Sequence, residues 1–207
     1  MIGRVDEAEV IAEFLRGELG SPRFGARVRA RLEQDGRDVD VIEHPDTTNG
    51  ADNAYRATLL HAYRGVGGSA PLLESLPDGI EWSRVELEPD ELRNVRYMDY
   101  PYWNELSAGS RSPARAAAGI RAGVTAMDRP NDAFHAVAER ICAGEALGTP
   151  ILVAPDVNAP LVILEGHTRV TAMLLRPECL PERLDAIVGH APAVRSWMFY
   201  GTPEVAA

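Results

Sequence analysis

The chain contains no lysine: all 21 of the basic residues among its 207 are arginine. That absence excludes whole chemistries. A Walker-type phosphate loop needs a lysine on the β- and γ-phosphates, a pyridoxal enzyme needs a Schiff-base lysine, and a protein kinase needs one from its third strand. The plainest expected cause is coding bias of the kind a GC-rich genome imposes, which 18 Gly and 15 Pro also fit, and the exclusions hold whatever the cause. Positive charge is scarce as well. With 31 acidic residues the net charge is −10, which repels a polyphosphate backbone, because non-specific DNA affinity comes mainly from counterion release by cationic side chains. A general nucleic-acid binder is therefore not expected.

Cysteine is equally sparse. Cys142 and Cys179 have no C-x-x-C spacing, and the opening residues MIGRVDEAEV lack an apolar signal core, so the sequence predicts a cytoplasmic protein with reduced thiols. Long hydrophobic runs are missing: stretches such as 160–164 fall far short of the roughly 20 residues a membrane helix needs, and none is basic and amphipathic enough to lie on a bilayer. His44, His61, His135 and His190 show no metal-ligand spacing, and no residue is assigned as a metal ligand.

The composition that remains, 45% hydrophobic and 25% charged, is enough to bury a core and fits one domain with an appendage. The first third reads as helical. Asp6 and Glu9 fit a capping box before Val10, Ile11, Phe14, Leu15 and Leu19, and Ser21-Pro22 fits a cap and first turn for a helix carrying Phe24, Val28 and Leu32. Asp52 is the expected cap of a third helix with Tyr55, Leu59, Leu60 and Tyr63. A Gly- and Pro-rich stretch over 65–79 divides the chain into a helical extension, 1–75, and a mixed α/β domain, 76–207.

In the second part, Trp82, Val85 and Leu87 with polar residues between them read as a strand. Residues 97–111, YMDYPYWNELSAGSR, form the aromatic-richest segment, and Ser112-Pro113 opens an alanine-rich helix expected to reach about Met127. Asn131 precedes another helix ending near Gly144. Two short apolar runs, 151–154 and 161–164, flank a Pro-Asp-Val-Asn-Ala-Pro hairpin signal, and a helix over 168–175 follows Gly166. The tail offers strands at 186–188 and 194–200.

The order strand, glycine, helix marks Glu165-Gly166-His167-Thr168-Arg169. A glycine there lets the backbone turn sharply, while the N–H groups of the first helical turn form an anion site strengthened by the helix dipole. Hydroxyl, imidazole and guanidinium within one turn are donors a phosphate uses. The same residues also fit a plainer arrangement, with Thr168 as a helix cap, Arg169 on the surface and His167 in a hydrated loop.

The run 134–188, from the helix AVAERICAGE through PILV to LVILEGHTRVTAMLL and a further strand, resembles the ParB/sulfiredoxin superfamily. The closest motif form is the Asp-Gly-His-His-Arg turn of free-serine kinases. Partition proteins carry a Gly-x-Arg-Arg form that binds CTP, and sulfiredoxins a Gly-Cys-His-Arg form that binds ATP. The resemblance implies an α+β ParB/sulfiredoxin-like domain, with Gly166 as the turn, His167 and Thr168 as phosphate contacts and Arg169 as the nucleotide clamp. His167 stands where sulfiredoxins have their nucleophilic cysteine, which excludes that chemistry, and Thr168 replaces a kinase histidine. Only about 30 residues follow the motif helix, too few for a ParB-type DNA-binding domain.

Phosphoryl transfer also needs a carboxylate to orient the acceptor. Glu86, Glu88 and Glu91 lie at the end of the first strand of the second part, near where the resembling kinases place such a group; Glu88 and Glu165, with His167, are the expected catalytic residues. Tyr100, Trp103, Glu105, Ser107, Ser110 and Arg111 are the expected substrate wall, the last three as a second anion clamp. The expected function is a phosphotransferase or nucleotide hydrolase that uses ATP, ADP or CTP with Mg²⁺ and acts on a polar small molecule. A non-catalytic nucleotide-responsive regulator is the alternative, and a ParB-like DNA-binding or nuclease protein a weaker one. The helical extension fits either a cover for the core or a homodimer contact.

Overall fold

The computed structural model describes residues 3–21, 23–64, 73 and 75–201; the glycine-rich stretch expected as a linker lies mostly outside them. A mixed five-stranded sheet organises the α+β fold, with strand order β1-β2-β5-β3-β4. The strands are β1 (Gly3–Val5), β2 (Glu81–Leu87), β3 (Ile151–Ala154), β4 (Val162–Glu165) and β5 (Leu184–His190). β5 runs parallel to β3, and the other pairings are antiparallel. The helices are α1 (Glu7–Leu19), α2 (Gly25–Gln34), α3 (Asp40–Glu43), α4 (Gly50–Arg64), α5 (Pro89–Asn94), α6 (Pro101–Leu106), α7 (Pro113–Arg121), α8 (Asp132–Cys142) and α9 (His167–Leu175). Among the described residues no helix is long and apolar enough to cross a membrane.

The period-two alternation of the strands sends successive side chains to opposite faces. Ile151, Val153, Val162, Leu164 and Ile187 pack with Phe14, Leu15, Val28, Leu32, Leu59 and Leu60 of the N-terminal helices. Leu152, Ile163, Ala186 and Val188 pack on the other face with Leu92, Leu106, Ile120, Phe134, Val170 and Leu174. β3 has all four residues buried, as a strand covered on both faces requires. The N-terminal segment is thus not a helical appendage alone. Its β1 pairs with β2, Val5 opposite Trp82, and its helices share a core with the sheet.

Several element boundaries differ from expectation for local reasons. Asp6 does cap α1, accepting the Glu9 N–H at 2.7 Å, but the Glu9 carboxylate binds Arg84 on β2 instead of completing a box. Ser21 accepts the Arg23 N–H and its carbonyl accepts the Gly25 N–H, so a turn precedes α2 and the helix starts later than Ser-Pro suggests. Asn49, not Asp52, caps α4, with Oδ1 accepting the Ala51 and Asp52 N–H groups. α7 stops at Arg121, where Gly123 adopts φ +83°. The tail beyond residue 190 forms a 3₁₀ turn, Pro192–Ser196, instead of a strand, burying Val194 and Trp197.

Candidate functional site

β4 ends at Glu165, paired with Ile151, and the chain turns into α9 through Gly166 at φ +99° and ψ +17°. That left-handed conformation strains residues with a Cβ. Gly166 is the N-cap, so Thr168 is the second residue of the helix and not its cap. The N–H groups of His167, Thr168 and Arg169 occupy the first turn, where no intrahelical acceptor exists. His167 and Arg169 are buried and Thr168 is half-buried, so the plainer arrangement of surface arginine and hydrated histidine does not form.

The Arg169 side chain folds back over its own turn. A Cβ placed on Gly166 would lie 3.2 Å from Nη2. Nη1 donates to the Leu147 carbonyl at 2.9 Å, and Nη2 lies 3.3 Å from Glu165 Oε1. Nε is buried with no hydrogen-bond partner among the described residues. Two further glycines admit the guanidinium. A Cβ on Gly17 of α1 would meet Nη1 at 2.9 Å and Glu165 Oε1 at 2.8 Å, and one on Gly148 would meet Nη1 at 3.2 Å and Glu13 Oε1 at 3.1 Å. Glu13, buried on α1, accepts the Thr149 N–H at 2.6 Å and pairs with Arg16.

Glu13, Gly17 and Gly148 carry no motif and escape a motif search. Two signals were available: a glycine inside a helical pattern costs about 1 kcal/mol relative to alanine and implies a close approach, and Glu13 interrupts the apolar stripe of α1.

The aromatic segment meets the turn through His167. Trp103 stacks on the imidazole with centroids 4.9 Å apart and planes 13° apart, and Tyr97 stacks on Trp103 at 4.8 Å. Thr171 Oγ1 donates to the His167 carbonyl, leaving the Tyr97 hydroxyl to donate to Thr171 Oγ1 at 2.5 Å. Burial holds the Tyr97 phenol well above its ordinary pKa, which keeps that donor protonated.

The other expected residues are placed differently. Arg111, at φ +55°, donates from Nε and Nη2 to the Tyr97 carbonyl at 2.9 and 2.7 Å. Ser107 Oγ donates to the Trp103 carbonyl and accepts the Arg111 N–H, and Ser110 Oγ donates to the Ser107 carbonyl. The residues of the expected second anion clamp bond within the loop, and Arg111 also reaches the Phe199 carbonyl. Glu105 is exposed and accepts the Met127 N–H; Tyr100 is 39% exposed at the start of α6. Glu88 follows β2, three strands across the sheet from β4 and the turn, a lateral separation of about 14 Å at normal strand spacing, and pairs with Arg183. Of the expected catalytic carboxylates, Glu165 alone adjoins the turn.

Among the described residues no three His, Cys, Asp or Glu side chains gather to hold a metal ion. The carboxylates at the turn are engaged: Glu165 faces Arg169, and Glu13 pairs with Arg16. The described residues at the turn therefore offer Mg²⁺ no dedicated cage. The two cysteines are not free: Cys142, at the end of α8, forms a disulfide with Cys179 in the 3₁₀ turn after α9. Packing of α8 against α9 brings together residues 37 positions apart, which spacing alone could not reveal. No protein-family model matches the chain, and no curated protein or solved structure is significantly similar to it.

Proposed function

We propose that the second part of the chain is a ParB/sulfiredoxin-like domain that binds nucleotide phosphates at Gly166-His167-Thr168-Arg169 and acts as a small-molecule phosphotransferase or nucleotide hydrolase. The observation that carries this reading is the Arg169 Nε, a buried cationic donor without a partner among the described residues at the N-terminus of α9. A buried donor left unbonded costs about 1–3 kcal/mol, and an oxyanion accepting from Nε, the remaining Nη hydrogens and the first-turn N–H groups removes that cost. With no lysine in the chain, arginine and backbone N–H groups are the permanent donors for such a site.

Arg169 would neutralise charge on the phosphates, while Gly166 lets them approach the backbone. Thr168, the half-buried residue of the turn, supplies a hydroxyl. His167 is held by its stack on Trp103 and acts through its backbone N–H. Glu165 holds Arg169 in position and exchanges its contact as phosphate enters. Mg²⁺ bound with the nucleotide supplies further charge neutralisation.

Calorimetry with ATP, ADP and CTP in the presence of Mg²⁺ tests the premise. Binding of at least one is expected in the parent and its loss in Arg169→Ala; no binding of any, with the variant behaving like the parent, overturns the reading. The close contact of α1 with Arg169 at Gly17 favours a second reading, a non-catalytic nucleotide-responsive protein in which occupancy is felt by the N-terminal helices. Release of phosphate or of a phosphorylated metabolite separates the enzyme from the binder.

A further inference from the structure

We infer that the Cys142–Cys179 disulfide is a reversible redox element that sets the order of the Arg169 clamp. Its two ends lie on the two segments that build the clamp. Cys142 closes α8 and opens the loop 143–149, whose Leu147 carbonyl accepts from Arg169 and whose Thr149 N–H donates to Glu13. Cys179 follows α9, the helix that carries Arg169. Oxidised, the bond pins the start of the loop to the far end of that helix.

The bond sits where a reductant reaches it. Cys142 is exposed and Cys179 half-buried, and residues 143–146 are exposed. The helices themselves are held by apolar packing of Phe134 and Ala138 with Val170 and Leu174, so cleavage loosens the loop without separating α8 from α9. The chemistry is thiol–disulfide exchange with a dithiol. Its thiolate attacks Sγ of Cys142, the more exposed residue; Cys179 leaves as thiolate and takes a proton. The second thiol of the reductant then displaces Cys142 from the mixed disulfide, giving two cysteine thiols and one cyclic disulfide of the reductant. A small-molecule disulfide re-forms the bond by the reverse exchange, taking up the two electrons and two protons as its own thiols.

The effect on phosphate binding rests on the function proposed above; the effect on the loop does not. Hydrogen exchange of the full chain is compared as isolated without reductant, after dithiothreitol, and after re-oxidation, with Cys142→Ser as a permanently open form. The Thr149 amide, which donates to Glu13, is expected to exchange about tenfold faster in the reduced protein and in the variant, with β3 unchanged and protection restored on re-oxidation. Equal exchange in both states, or two alkylatable thiols in the protein isolated without reductant, overturns the inference. Inorganic pyrophosphate serves as the anion probe. A severalfold difference in its affinity between the two states supports control of the site, and equal affinity overturns that control. Failure to bind pyrophosphate in either state counts against the anion site, and the loop exchange still decides the redox element.

Discussion

Gly17 of α1 lies against the guanidinium of Arg169, 152 positions later in the chain, so closely that a methyl group on Gly17 would stand 2.9 Å from Nη1. The contact makes the first helix part of the wall around a side chain that the sequence places on a distant turn. It also explains a glycine inside a helix, a position where alanine would be preferred by about 1 kcal/mol.

Gly17→Ala separates these effects. Alanine gains that helix preference, but its Cβ overlaps the buried ends of Arg169 and Glu165, and overpacking of this kind costs roughly 1–3 kcal/mol. A net loss of about 1 kcal/mol is expected in urea denaturation, with weaker nucleotide binding. A gain in stability would show that the guanidinium yields readily.

Arg169→Lys keeps a cation but loses the planar fork that reaches Leu147 and Glu165 together. Nucleotide affinity is expected to fall at least about tenfold, corresponding to the loss of a charge-assisted bond of about 1.5–3 kcal/mol. Calorimetry of parent and variant reads this directly, and an unchanged affinity would remove Arg169 from the site.

Glu13→Ala leaves the Thr149 N–H without its acceptor and Arg16 without its carboxylate. The expected destabilisation is about 1–3 kcal/mol. Glu13→Gln, whose amide oxygen can still accept from Thr149, should recover at least half of it. Equal losses in the two variants would assign the effect to charge instead of the Thr149 bond.

The alkaline limb of stability is unusually simple here. Lysine is absent and both cysteines are in a disulfide, so tyrosine is the side chain that titrates from about pH 9 to 12. Burial is the first cause raising Tyr55, to about 12, and it raises Tyr97, Tyr102 and Tyr200 as well. A raised phenol pKa means that the folded state holds protons the unfolded state releases above about pH 10. Stability from these groups is therefore present in full below that pH and is lost as pH rises toward the folded values. Urea midpoints should stay level between pH 7 and 9 apart from other groups, then fall. In Tyr97→Phe the fall should be shallower, and an unaltered slope would contradict the burial of Tyr97.

Much of the local order was legible without coordinates. The two short apolar runs at 151–154 and 161–164 predict β3 and β4, the glycine between strand and helix predicts the sharp turn at Gly166, and the apolar spacing in 10–19 predicts α1. These features depend on neighbours a few positions away, which the sequence displays side by side. The boundaries that failed, at Asn49 and Arg121, turned on which of several polar residues or glycines ends a helix, a choice of about 1 kcal/mol that composition does not resolve.

The site itself divides the same way. Gly166 and Arg169 were visible as a motif, and the stack of His167 on Trp103 joins two segments singled out separately. Whether Arg111 served an anion or the backbone of Tyr97, and whether Glu88 lay near the turn or three strands away, depended on sheet order and loop path. The lack of lysine determined from the sequence alone that any permanent side-chain cation at a phosphate site must be an arginine. Only the tertiary structure decided which arginine has a buried donor at a helix N-terminus, and that Gly17, Gly148 and Glu13 surround it, because burial and partners arise when distant segments pack together.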